Sequence, residues 1–146
     1  MTDKDFKLLQ FCYLNVYPRY IIVAVGDVED KVNKLWEPYD RAYNYLGSPP
    51  EDCAGITCAV KSKGDNPKYG YLVWMKTRED CRPDYIAHEC GHVALTLFDH
   101  LGIKPDVKNQ EPLTYLIGSL VQYITDAIEL KDFELKKKKE KNEVSR

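Results

Sequence analysis

Apolar and polar positions follow two different periods along this chain, and the change from one to the other predicts its elements. Residues 6 to 16 mix apolar and polar side chains, whereas Tyr20-Ile21-Ile22-Val23-Ala24-Val25 is apolar on both faces. With a turn proline, Pro18, between them, the two stretches predict strands joined as a hairpin. Gly26-Asp27 ends the second strand, and Val28, Val32, Leu35 and Trp36 then recur at helical spacing until Pro38 kinks or breaks the helix. Tyr39, Ala42, Tyr43 and Leu46 predict a short second helical piece, stopped by Gly47-Ser48-Pro49-Pro50. Residues 55 to 61 and 69 to 76 are two more strands, and Ser62-Lys63-Gly64-Asp65-Asn66-Pro67 between them has hairpin-loop composition.

Two helices follow. Asp84, just after Pro83, is a candidate N-cap, Ile86, Ala87, Ala94, Leu97, Phe98 and Leu101 supply apolar positions at helical spacing, and Gly102 is a suitable stop. Lys104-Pro105-Asp106 turns the chain. Asn109 is the N-cap expected for the second helix, which tolerates Pro112 in its first turn and buries a stripe of Leu113, Leu116, Ile117, Leu120, Val121 and Ile124. The order of strand, strand, helix, strand, strand, helix, helix is an α+β layout: a sheet of about four strands packed on the two C-terminal helices.

Composition adds limits. A chain of 146 residues with ordinary hydrophobic content suits one domain, and its longest apolar run, Tyr20 to Val25, is far too short to cross a bilayer, so no membrane partner is expected. The charged start, Met1-Thr2-Asp3-Lys4-Asp5, lacks a signal-peptide pattern, and the odd count of five cysteines argues for reduced thiols, which together predict a cytoplasmic protein without a disulfide framework. Cys53 and Cys58 have no second matching pair and read as small buried or half-buried residues. Residues 131 to 146 carry a net charge of +3 against −5 for the rest, which sets a lysine-rich tail apart from a domain at residues 1 to 130. No aromatic platform or finger-like motif accompanies that tail, so nucleic acid is not expected as a partner. Tyr13, Tyr17 and Tyr20 read as half-buried strand residues with wet hydroxyls.

The chemistry is concentrated in His88-Glu89-Cys90-Gly91-His92. Histidines four apart on a helix differ by about 40° in direction and about 6 Å in height, so both imidazoles can reach one metal ion. Glu89 points to the side where a metal-bound water would sit and can serve as general base, which makes the motif a hydrolytic zinc site. Such a site needs a third protein ligand. Asp99 lies about 10 Å beyond His92 along the axis and His100 points about 80° away, so neither can close the site from this helix. A second helix starting near Asn109 and running back past the first would turn Glu111 to the metal; as an alternative, Glu111 is a first-turn acid favoured by the helix dipole.

His88, Glu89 and His92, followed after an eighteen-residue gap by Glu111, resemble the gluzincin metallopeptidases, whose third ligand is a glutamate on the next helix. More narrowly, Ile86-Ala87-His88-Glu89, Gly102-Ile103 and Glu111-Pro112-Leu113-Thr114-Tyr115-Leu116-Ile117-Gly118 resemble small metallopeptidase-like proteins of bacteriophages and prophages. The resemblance covers residues 84 to 124. It implies a zincin-like fold, a Zn2+ cofactor held by His88, His92 and Glu111, and a protein or peptide substrate. It also suggests that residues 69 to 76, just before the metal helix, are an edge strand that holds the substrate backbone. Tyr115 stands where many gluzincins carry an aspartate; one turn beyond Glu111, it could hydrogen-bond a ligand or the developing oxyanion. The Gly-x-Met-Glu-Asn segment of related aminopeptidases does not occur, which favours an endopeptidase. The alternative function is a zinc-binding assembly or virion component with little turnover, whose partners would be phage structural proteins.

Overall fold

The stretch that is apolar on both faces becomes an interior strand, β2 (Tyr20–Val25), in which residues 21 to 25 are all buried. The structure is a computed structural model that describes residues 5–40 and 45–145. β2 pairs antiparallel with β1 (Leu8–Tyr13), Leu8 opposite Val25 and Tyr13 opposite Tyr20, which is the expected hairpin. Asn15 takes the left-handed conformation in the turn, φ 65°, which an asparagine tolerates.

On its other side β2 runs parallel to β5 (Tyr69–Met75). β5 pairs antiparallel with β4 (Gly55–Ser62) through the expected hairpin loop, and β4 with the short β3 (Trp36–Pro38). The sheet therefore has five strands in the order β1-β2-β5-β4-β3. The expectation that residues 69 to 76 form an edge strand is overturned, because both sides of β5 are taken, by β2 and β4. Its Tyr71-Leu72-Val73-Trp74-Met75 run is wholly buried, the composition of a central strand rather than of an edge open to water.

Alternation sorts the core into two layers. Ile21, Val23, Val25, Ala59, Tyr71, Val73 and Met75 face α2 (Pro83–His100) and α3 (Glu111–Val144), while Ile22, Ala24, Cys58, Val60, Leu72 and Trp74 face α1 (Glu29–Leu35) and Trp36. The α+β class stands, and the first expected helix covers the face of the sheet opposite α2 and α3. α1 ends at Leu35, three residues before the proline expected to stop it. Trp36 turns extended, φ −129° and ψ 152°, which buries its indole against the sheet with the Phe11 ring edge-on at 5.7 Å. The Tyr39 N–H then donates to the Ala59 carbonyl at 2.9 Å, prolonging the β3–β4 pairing where a second helical piece was expected; Tyr45 and Leu46 are not helical, and Ala42 and Tyr43 lie outside the described residues.

α2 starts at Pro83, whose fixed φ suits a first helical position, and its flanking residue is Arg82 rather than Asp84. Asp84 instead accepts from the Arg82 guanidinium at 2.9 and 3.0 Å. Gly102, at φ 68°, ends α2 as expected, with Ile103 N–H reaching back to the Phe98 carbonyl at 2.8 Å. α3 is flanked by Gln110, not Asn109, which bridges to Asp106. At about 1.5 Å per residue its 34 residues span about 51 Å, and the boundary expected after Leu130 falls inside the helix. Asp132 is anchored to Arg78 at 2.7 Å and Leu135 packs on the core; residues 136 to 144 are exposed helix. Among the described residues no helix is long and apolar enough to cross a membrane.

Cys58 has no exposed surface on β4, and burial pushes its thiol up from 9.0 to about 12. Because the protonated thiol is the neutral form, the unfolded chain loses this proton first as pH rises. The contribution is intact below pH 9 and lost between pH 9 and 12, at up to about 1.4 kcal/mol per pH unit. Denaturant titrations from pH 8 upward are expected to show a shallower alkaline loss of stability in Cys58→Ala than in the parent.

Candidate metal centre

α2 turns Ile86, Cys90, Val93, Ala94, Leu97 and Phe98 into the core, which leaves His88 exposed and His92 half-buried on another side of the helix. The Nε2 atoms of His88 and His92 lie 3.1 Å apart, with ring centroids 4.8 Å apart and ring planes at 82°. Two imidazole nitrogens on one tetrahedral zinc, each about 2.0–2.1 Å from it, stand about 3.3–3.4 Å apart. The Nε2 separation is close to this value.

Glu89 sits between them in sequence but turns toward the sheet, and only 8% of it is exposed. Thr57 on β4 donates its hydroxyl to Glu89 Oε2 at 2.5 Å, within the range of an O–H···O⁻ bond, and the backbone carbonyl of Glu89 is 3.3 Å from the same hydroxyl. A buried carboxylate needs such a donor, and this one also ties α2 to β4 across 32 residues of sequence. Beside it is a cavity of about 270 Å³ lined by Cys53, Ala54, Gly55, Tyr85, His88 and Glu89. On the edge of β4 next to this cavity, β3 pairs with Val60 to Ser62 and Tyr39 with Ala59, and among the described residues no strand pairs with 55 to 57.

Glu111 and Tyr115 stand apart from this cavity. Both are exposed in the first turns of α3 and line a groove of about 710 Å³ with Thr114, Gly118, Ser119, Gln122, Tyr123 and Asp126, which neither histidine borders. Among the described residues no three His, Cys, Asp or Glu side chains are grouped so as to hold a metal ion. The structure brings His88, Glu89 and His92 together and does not bring Glu111 or Tyr115 to them. Asp99 is exposed on α2.

His100 is engaged elsewhere at both nitrogens. Burial pushes the Tyr71 hydroxyl up to about 12, so it stays protonated and donates to His100 Nδ1 at 2.8 Å; His100 Nε2–H then donates to Asp40 at 2.5 Å. Neither this relay nor Thr57 was legible as a motif. Thr57 did carry a signal, a polar residue two positions from Ala59 on the face of β4 that meets the motif helix.

No family model, curated protein or solved structure matches this chain.

Removing the Tyr71 hydroxyl leaves the Nδ1 of a nearly buried imidazole without its donor. Tyr71→Phe is expected to lower folding stability by about 1–2 kcal/mol, read from the denaturation midpoint at constant slope.

Proposed function

We propose that this chain is a zinc-dependent metallopeptidase of the gluzincin type, with a zincin-like fold and endopeptidase activity on a peptide or protein substrate. The observation that carries the reading is the paired approach of the His88 and His92 Nε2 atoms at 3.1 Å beside a buried Glu89 carboxylate held by Thr57. A histidine pair that served packing alone would not need an adjacent buried carboxylate at a cavity.

His88 and His92 would hold the zinc through Nε2. Glu111 is the proposed third ligand, which requires its carboxylate to move from the groove it lines to the histidines: it opens a helix packed against α2 and has no ion-pair partner among the described residues. Zinc bound there would polarise a peptide carbonyl and make a water acidic enough to lose a proton near neutral pH. Glu89 would accept that proton and return it to the departing amine. Thr57 occupies Oε2, which leaves Oε1 as the oxygen for the shuttle, and Thr57 is therefore a positioning residue. The edge of β4 at residues 55 to 57, with no paired strand among the described residues, would offer backbone groups to an extended substrate, with the cavity of about 270 Å³ beside it for one side chain. The edge role expected of residues 69 to 76 passes to β4.

Metal analysis of the purified chain is expected to give about one zinc per chain, lost in His88→Ala and much weakened in Glu111→Ala. Cys53 borders the histidine cavity, so Cys53→Ser is the control. Loss of zinc there and not in Glu111→Ala would move the third ligand to the cysteine. A chain that stays metal-free in excess zinc at neutral pH sinks the reading.

Turnover separates the base from the ligands. Glu89→Gln is expected to keep zinc and to lose about 10²–10⁴-fold in kcat on a cleaved peptide from a library. Thr57→Val should lower kcat with zinc affinity unchanged, and Thr57→Ser should restore it. Full activity in Glu89→Gln would remove the carboxylate from the mechanism.

A further inference from the structure

We propose that the free edge of β1 is a docking site for an extended acidic segment of a partner protein, which adds to the sheet as a sixth strand. β1 has β2 on one side, and among the described residues no strand pairs with the other, so its outer backbone groups are available. A cavity of about 480 Å³ wraps this edge from both faces of the sheet. Val28, just before α1, and Lys31, Lys34 and Leu35 of α1 come from one face, and α3 contributes Ala127, Leu130, Lys131 and Glu134 from the other, with Lys7 to Gln10 between them.

Charge identifies the occupant. Lys7, Lys31, Lys34 and Lys131 converge on this cavity, and none has an ion-pair or hydrogen-bond partner among the described residues. Glu134 is the one acid among the lining residues, in a chain whose net charge is −2. Four ammonium groups against one carboxylate leave an excess of positive charge that attracts acids, and a bound acidic segment relieves the repulsion among the lysines. Side chains of an added strand alternate between the two faces, and both faces carry lysine, so acids are favoured on either side. Leu9, Val28 and Leu35 on one face and Leu130 on the other make apolar contacts for short aliphatic stems, which suits glutamate interleaved with valine or threonine. A second copy of this chain does not fit, because pairing two β1 edges would bring two lysine clusters together. The site is independent of the zinc reading.

The probe is a fluorescein-labelled, end-blocked peptide alternating glutamate with valine, titrated with the full-length chain at low ionic strength. Saturable binding is expected, weakening as salt rises, with slowed amide exchange in residues 8 to 13. Replacing the peptide's central valine with proline removes a strand donor and should cost at least about tenfold in affinity. Replacing its glutamates with lysine should abolish binding. The triple variant Lys31→Glu, Lys34→Glu, Lys131→Glu should lose at least about tenfold, and Lys→Gln at the same positions serves if that variant fails to fold. Absence of saturable binding, a proline peptide that binds as well as the parent, or amide protection away from β1 would each overturn the proposal. So would a thymidine oligonucleotide that displaces the peptide at equal affinity, which would reassign the lysines to nucleic acid.

Discussion

The parallel pairing of β2 with β5 is the constraint from which the rest of the layout follows. Parallel neighbours cannot be joined by a tight turn, so the chain must leave the sheet after Val25 and re-enter beside it at Tyr69. The connection is used to build α1 over one face and the β3 and β4 strands at the far side. Because β2 and β5 are both interior, each must be apolar on both faces, and that demand forces a helical layer onto each side of the sheet. α2 and α3 meet it on one face; α1, seven residues long, meets it on the other with help from Trp36.

Packing on that face places the chemistry. Once Ile86, Cys90, Val93 and Leu97 are committed to the core, helical geometry leaves His88 and His92 on neighbouring turns of a wetter side and sends Glu89 down toward β4. The carboxylate then needs a donor inside the protein, and Thr57 is the group that β4 presents there. Sheet, helix and site are in this sense one packing solution.

Much of this could be read along the chain because it is local. The run Tyr20 to Val25, the turn after Ser62, the stop at Gly102 and the spacing of His88, Glu89 and His92 all depend on neighbours a few residues away. What failed to show depends on partners far off in sequence. Trp36 to Pro38 is a strand only because Val60 to Ser62 lie beside it, and the interior position of β5 is a matter of sheet order that no window of sequence contains. Thr57 and Glu89, 32 residues apart, and Asp40 and His100, 60 apart, belong to the same class. The lysine-rich tail expected after Leu130 continues α3 as helix, because lysine and glutamate are good helix formers and a change in charge is not a change in conformation.

The hydroxyl of Thr57 has a consequence of a different kind. Thr57 belongs at once to the uncovered rim of β4 and to the hydrogen bond that holds Glu89. Anything that stiffens that rim by pairing with its backbone also narrows the range of positions open to the carboxylate. By reciprocity, on the proposed mechanism, whatever fixes the carboxylate would change the rim's affinity for a substrate by the same factor. On the proposed mechanism, a single side chain thus links what occupies the edge to the position of the Glu89 carboxylate.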